Sequence, residues 1–459
     1  MLIKLAQSGE QVKILKGSVD AMLKLSEGLV NEAEVKWKSQ EISKNGETPL
    51  VVSINQEVIG LIALKDNLKE NIRENIGEIR ATGIHTIMNN GSFAPIPIST
   101  IKAMTDFLLR YSEEGPDSTS VQEYITSLMK EVRNRVSHLI NCDPDEVIFT
   151  QSTTEGINQI STGIPWKESD LVIVRGGPHE HYANYFPWLK VSEKFGVEIK
   201  EIQIDVDGFF DTDEIERIAR NKNAKLITLS HALYNNGAIM PVEEVGKIAR
   251  DNNVLYCIDA AQSVGSIRVD VKRIGCDFMA FPSFKWICGP TGIGILYCSK
   301  KSSEGLTPQY VGGESAILTD HGDLASVEFP QRFQTGFRNY VGLAGLESSL
   351  RYILRIGIDR IRKMNMKIAD ELRGSLEKMD HVSIYGPQDE RLRTSILPFG
   401  SKSSDAKMIV SKLEDYGIIV AERDIEGAGK KKVVRASPHF YNDQSEVESF
   451  VKSLNMILK

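Results

Sequence analysis

The sequence predicts an α/β protein, and the expectation rests on two runs of patterning. From about Gln151 to Ser299, short apolar runs alternate with amphipathic segments: LVIVRGG, KLITLSHALYNNG, VEEVGKIARDNN, VLYCIDAA and FMAFPSFK. Unbroken apolar runs of that length suit strands buried on both faces of a parallel sheet, and the amphipathic segments supply the helices that connect them. Further on, two long helices are expected over 340–356 and 358–379, then shorter strands in VSIYG, RTSILPF and KVVRASPHF with helices near 405–416 and 444–458. Such interleaving predicts a smaller α+β carboxy-terminal domain. The expected organisation is an amino-terminal appendage over 1–87, a large, mainly parallel α/β/α sheet domain over 88–345 and a small domain over 346–459.

Composition excludes several classes of function. With 459 residues, 41% of them hydrophobic, the chain can bury more than one core. Its net charge of −7 leaves no basic footprint, and no window clusters Lys and Arg with aromatics, so nucleic acid is not expected as a partner. No run reaches the roughly 18 apolar residues that cross a bilayer, and none is expected to contact a membrane. The start, MLIKLAQSGEQVK, lacks the apolar core and small-residue cleavage site of a secretory signal, which predicts a cytoplasmic location. Cys142, Cys257, Cys276, Cys288 and Cys298 form no C-x-x-C pair, which fits a reducing compartment, and most of them read as small buried apolar groups.

The first 87 residues contain a strand pair in TPLVVSINQEVIGLIALKD and then NLKENIRENIGEIRATGIHTIM, an amphipathic helix running into a strand. Over about Ile14 to Met88 this region resembles part of the catalytic subunit of a potassium-importing P-type ATPase. LKGSVDAM is similar to the lysine-glycine element of that family's nucleotide-binding domain, with Lys16 at the lysine. The phosphorylated DKTG motif is absent, and Asn89, Asn90 and Gly91 stand where the family has TGD, so ion pumping is excluded. The resemblance implies a fused remnant serving as an appendage, with residual nucleotide binding at Lys16 as the alternative.

The chemistry concentrates between Val254 and Ser299. Asp259 ends the run VLYCI and Lys285 follows FMAFPSF; in parallel sheets ligands sit beyond the carboxyl ends of the strands, so both groups can face one crevice. A lysine that binds pyridoxal phosphate as a Schiff base needs an acidic partner for the pyridine nitrogen, because the protonated ring takes up the electrons left when a Cα bond breaks. Farther upstream, QSTTEGIN reads as a turn entering a helix whose free N–H groups, with the hydroxyls of Thr153 and Thr154, suit a phosphate. His179 and His181 in HEHYANYFPW have no further ligands at metal-binding spacing, and no metal is expected.

DAAQSVG followed by SFKWICGPTGIGILY resembles the class V aminotransferase group of fold-type I pyridoxal-phosphate enzymes, which includes cysteine desulfurases and isopenicillin N epimerase-like proteins; the likeness spans about Met88 to Lys459. It implies pyridoxal 5'-phosphate as cofactor, Lys285 as the lysine that carries it, Asp259 as partner of the ring nitrogen and Gln262 as a hydrogen-bond partner of the phenolic oxygen. His181 matches the residue stacked on the ring. Tyr234, followed by Asn235, stands where the desulfurases place an asparagine, and Phe284 replaces a phosphate-binding histidine, which passes the phosphate contact to Ser283. In FQTGFRN, Phe337, with Thr335 and Arg338 nearby, aligns with a threonine that reaches the partner subunit's phosphate; a homodimer is implied.

In VVRASPHFYNDQSEVESFVKSL, Arg435 matches the arginine that receives the substrate carboxylate, a role that suits its planar two-donor fork and implies an amino acid substrate. Desulfurases of the family carry a nucleophilic cysteine on the preceding loop, here GIIVAERDIEGAGKKKVVR, which has none; Arg423 and Glu426 occupy that region. The expectation is therefore an enzyme working through a Cα carbanion as an epimerase, C–S lyase or aminotransferase, and not a persulfide-forming cysteine desulfurase. The freed amine of Lys285 is the expected base. A catalytically silent scaffold with the same fold is the alternative.

Overall fold

A computed structural model describes residues 2–4, 11–25, 31–44, 48–54, 57–64, 86–177, 179–425 and 431–459. The chain separates into two compact units, Met1–Glu78 and Ile79–Lys459.

In the first unit, Leu2–Lys4, Gln11–Gly17, Thr48–Ile54 and Glu57–Leu64 form an antiparallel sheet in that order. The strand pair expected in TPLVVSINQEVIGLIALKD is its hairpin. Helices Val19–Leu25 and Glu32–Lys44 contribute Met22, Leu23 and Val35 to a small core around Val51. Lys16 lies on the second strand with its side chain exposed. The helix expected through NLKENIRENIGEIRATG falls outside the described residues.

The second unit is built on a seven-stranded sheet in the order Val147–Thr150, Gly294–Cys298, Phe278–Pro282, Leu255–Asp259, Ala224–Ser230, Leu171–Val174, Glu198–Glu201. Only Gly294–Cys298 runs antiparallel to its neighbours. Alternate residues of a strand face opposite sides of a sheet, and both sides are covered. Leu171, Ile173, Tyr256, Ile258, Met279 and Phe281 enter one core; Val172, Val174, Cys257, Phe278 and Ala280 enter the other. That is why these strands read as unbroken apolar runs. The second core also takes Ile157 and Ile160 from helix Thr153–Gly163 and Trp188 and Val191 from helix Tyr182–Phe195. By the same alternation Asp259 faces the side of Cys257, toward the ends of those two helices.

The small domain is an antiparallel sheet ordered Val382–Ile384, Leu397–Ser401, Lys432–Ala436, Ala421–Asp424, covered by helices Ile358–Leu376, Ala406–Asp415 and Gln444–Leu458. Two expected boundaries shift. Thr86–Ile87, placed with the appendage, pairs in parallel with Ile418–Ile419, and Met88 is buried in the small-domain core. Residues 345 and 346 lie within one helix, Tyr340–Ile356, whose Leu343, Ala344, Leu346 and Leu350 all enter the first core of the large sheet. A helix that buries a continuous apolar face is a poor place for a domain to end.

Candidate active site

The strand ends bring Asp259 and Lys285 together. Asp259 closes its strand opposite Ser230 on one side and Ala280 on the other, and its Oδ1 accepts the N–H of Ala261 at 2.8 Å. Lys285 stands three residues beyond Pro282 in a turn closed by two bonds: the N–H of Cys288 to the Lys285 carbonyl at 2.9 Å, and that of Gly289 to the Ser283 carbonyl at 2.8 Å. Cys288 adopts φ 56°, in the left-handed region that costs a non-glycine residue. Ser349 Oγ donates to its carbonyl at 3.0 Å and ties the turn down.

Burial raises the carboxyl of Asp259 above its usual range, with the Ala261 N–H and the charge of Lys285 opposing. Burial lowers the amine of Lys285; Asp259 opposes this, while Arg435 and Arg423 add to it. A neutral amine is the form that can act as nucleophile or take a proton.

His181 caps helix Tyr182–Phe195, its Nδ1 accepting the N–H of Ala183 at 3.1 Å, which leaves the ring proton on Nε2. Its ring meets Tyr234 edge-on at 5.1 Å. His181 keeps some solvent exposure; desolvation by the groups packed around it, then the charges of Lys285, Arg423 and Arg435, push the imidazole down to about 4. The preceding Glu180 is buried. It accepts the N–H groups of His181 at 3.3 Å and Ser230 at 3.2 Å, the hydroxyl of Ser230 and the amide of Asn184, and it faces Arg175 Nε at 3.3 Å. His179 points elsewhere, to Asn235 at 3.1 Å.

Gln262 is buried with both ends of its amide engaged: Nε2 donates to the Gly91 carbonyl and Oε1 accepts from Trp286 Nε1, each at 2.9 Å. Thr153 and Thr154 begin their helix as expected. Ser152 caps it, accepting the N–H of Glu155 at 3.1 Å, and Gly156 lets the helix sit close on Ala280 and Leu296. Thr153 is buried and Thr154 exposed.

Ser283 departs from its expected role. Its hydroxyl has one proton, and that proton goes to backbone carbonyls: Oγ contacts the oxygens of Pro290 and, at 3.0 Å, Ile293. In this arrangement Ser283 braces the lysine turn; a dianion needs donors, so serving the phosphate would require the hydroxyl to leave these carbonyls.

Arg435 and Arg423 converge, and sequence reading missed what joins them. Arg435 is buried; Nη1 donates to the Tyr234 carbonyl at 2.6 Å, and Nη2 to Asn89 Oδ1 at 3.0 Å and Ser92 Oγ at 2.6 Å. Arg423 donates to the same Ser92 Oγ at 2.6 Å and to the Glu422 carbonyl at 2.6 Å. Gly91 packs so tightly on Arg435 that a Cβ would lie 3.0 Å from its guanidinium carbon. Each of Arg435's hydrogen-bond acceptors is a neutral oxygen, and its Nε, although buried, has no partner among the described residues. Such a group is costly to bury unpaired; a carboxylate beside it would supply the missing charge. The signal for this loop is NNGSFAP, a turn-rich run on the strand side of a helix, of which only Asn89, Asn90 and Gly91 enter the comparison with the ATPase pattern. Glu426 lies outside the described residues.

Among the described residues no group of acidic, histidine or cysteine side chains could hold a metal ion, and no helix is long and apolar enough to cross a membrane. The five cysteines are free and buried.

A strand-end acid, a desolvated lysine in a strained turn and a helix start on the same face together define a fold-type I pyridoxal-phosphate enzyme. The chain belongs to the class V aminotransferase family, which residues 88–450 match. It is 34% identical over 385 residues to a probable cysteine desulfurase of Methanothermobacter thermautotrophicus, covering 81% of this chain and 94% of that protein. A probable cysteine desulfurase of Pyrococcus abyssi is 32% identical over 377 residues, 80% of this chain and 92% of that one. In structure it resembles the apo cysteine desulfurase of Thermococcus onnurineus NA1, with a TM-score of 0.78 at 29% identity over 86% of this chain and 99% of the other.

These relatives overturn the expectation that a missing loop cysteine separates the chain from the desulfurases. The likeness extends over most of each protein, through the strands and turn that carry Asp259 and Lys285. Against a likeness of that extent, one loop position is too little to decide the class of reaction.

The residues present fit pyridoxal phosphate: a buried carboxyl at a strand end for a ring nitrogen, a helix N-terminus for a phosphate, and a lysine whose neutral form is favoured.

Proposed function

We propose that this enzyme removes sulfur from L-cysteine, leaving alanine and passing the sulfur to the thiol of an external acceptor as a persulfide, because its own five cysteines are buried; the relatives are named cysteine desulfurases. The observation that carries the reading is the pair of guanidinium groups on Ser92, beside a lysine held toward its neutral form. Together they suit an amino acid presenting a carboxylate and an amine.

When bound, pyridoxal phosphate supplies the electron sink for a pair left at a substrate carbon. Lys285 would hold it and afterwards move the proton at the substrate Cα. Asp259 would pair with its ring nitrogen, Gln262 would donate to its phenolic oxygen, and His181 would lie against its ring. The helix start at Thr153 and Thr154 would hold its phosphate. Arg435, with Arg423 beside it, would fix the substrate carboxylate. The neutral His181 adds no positive charge against the protonated ring. A homodimer in the cytoplasm accompanies this reading, supported by family resemblance. For the amino-terminal unit the reading is a fused appendage, with nucleotide binding at Lys16 as the alternative, and its support is the sequence likeness around Lys16.

The test is to supply the cofactor-loaded protein with L-cysteine and excess dithiothreitol and to quantify products. Alanine and sulfide in equal amounts support the proposal. Pyruvate with ammonia, or no turnover, would overturn it.

A further inference from the structure

Trp286 follows Lys285 directly, is wholly buried and is held from three sides. Its carbonyl accepts from His439 Nε2 at 3.0 Å, and its ring meets that imidazole edge-on at 5.0 Å and 90°. Behind it stands Gly265, at φ +92°, where a Cβ would lie 2.6 Å from the Trp286 carbonyl. From this fixed position the indole Nε1 donates to Gln262 Oε1 at 2.9 Å.

The chemistry of that contact is one-sided. A carboxamide has nearly the same shape either way round, but one end only accepts and the other only donates; an indole N–H can donate and never accept. With the indole facing it, Gln262 can place only its oxygen there. The NH2 end is forced to the opposite side, where one proton goes to the Gly91 carbonyl at 2.9 Å and the second remains to be given.

We propose that Trp286 is a positioning residue: it fixes the orientation of the Gln262 amide so that a donor, not an acceptor, faces the phenolic oxygen of bound pyridoxal phosphate. This rests on the cofactor reading above and deepens it. The arrangement is continuous with the substrate anchor, because Gly91 precedes Ser92, on which Arg423 and Arg435 meet.

The experiment titrates the visible absorption band of cofactor-loaded protein against pH for wild type, Trp286→Phe, Gln262→Leu and the double variant, with thermal melts to confirm folding. A donor to the phenolic oxygen favours its ionised form, so losing it raises the midpoint. Trp286→Phe is expected to raise the midpoint by about half a pH unit to one unit, the worth of one hydrogen bond. Gln262→Leu should do the same and the double variant should add nothing. Trp286→His keeps a ring N–H and is the second variant; its midpoint should lie nearer wild type. An unchanged midpoint in Trp286→Phe, shifts that add in the double variant, or Trp286→His matching Gln262→Leu would each overturn the proposal. A wild type that takes up cofactor without any visible band would instead remove the reading at Lys285, and with it this role for Trp286.

Discussion

Arg423 and Arg435 donate to one oxygen, the hydroxyl of Ser92, each at 2.6 Å. Two like charges held on one acceptor are poised for an anion, and burial together with their mutual repulsion pushes Arg435 well below its ordinary range.

Ser92→Ala removes the shared acceptor and lets the two guanidiniums part. The Michaelis constant for L-cysteine should rise about tenfold, equivalent to about 1.4 kcal/mol. Arg435→Gln should raise it by about tenfold to a hundredfold, with a smaller change in kcat. Steady-state kinetics at saturating cofactor checks both.

Glu180 and Arg175 form a buried pair at 3.3 Å, and Glu180 also holds Ser230 and the backbone of His181. Glu180→Ala would strand a buried cation and should cost about 3–5 kcal/mol. Replacing both, as Arg175→Met with Glu180→Leu, should recover part of that loss. Urea unfolding of the three proteins measures the difference.

His231 and His439 are buried, and desolvation lowers them from 6.5 to about 4 and about 3. The unfolded chain binds a proton on each near the ordinary value, while the folded protein does not. Their contribution to stability is therefore complete above pH 6.5 and is lost as pH falls through the folded values. Stability should drop by about 1.4 kcal/mol per pH unit for each histidine between roughly pH 6 and 4. His439→Phe should flatten that slope in urea midpoints taken across the range.

Ser283 and Thr153 should behave oppositely. Ser283→Ala loses the one hydroxyl donor shared between two carbonyls of the lysine turn, so its melting temperature falls while cofactor affinity stays within about twofold. Thr153→Val should weaken cofactor binding by about tenfold, the loss of one hydrogen bond to a charged group. Equilibrium dialysis against pyridoxal phosphate, read beside thermal melts, separates the two effects.

The α/β core and the Asp259–Lys285 pair could be read from the chain because both follow from local regularities. Period-two burial on two covered faces produces unbroken apolar strands, and groups just past strand ends share one crevice. Arg435 was marked only by the family resemblance, and Arg423 was expected on a loop, whereas it lies on the strand Ala421–Asp424. Packing decided the rest. The direction of the Ser283 hydroxyl depends on which carbonyls the turn brings within reach. The role of Ser92 depends on two strands lying more than 300 residues away from it in sequence. Helix Tyr340–Ile356 belongs to the large sheet because its apolar face is buried there, a fact its own sequence shares with any amphipathic helix. Short-range sequence determined which elements form and which chemical groups they carry; long-range contacts alone decided which oxygen each group would face.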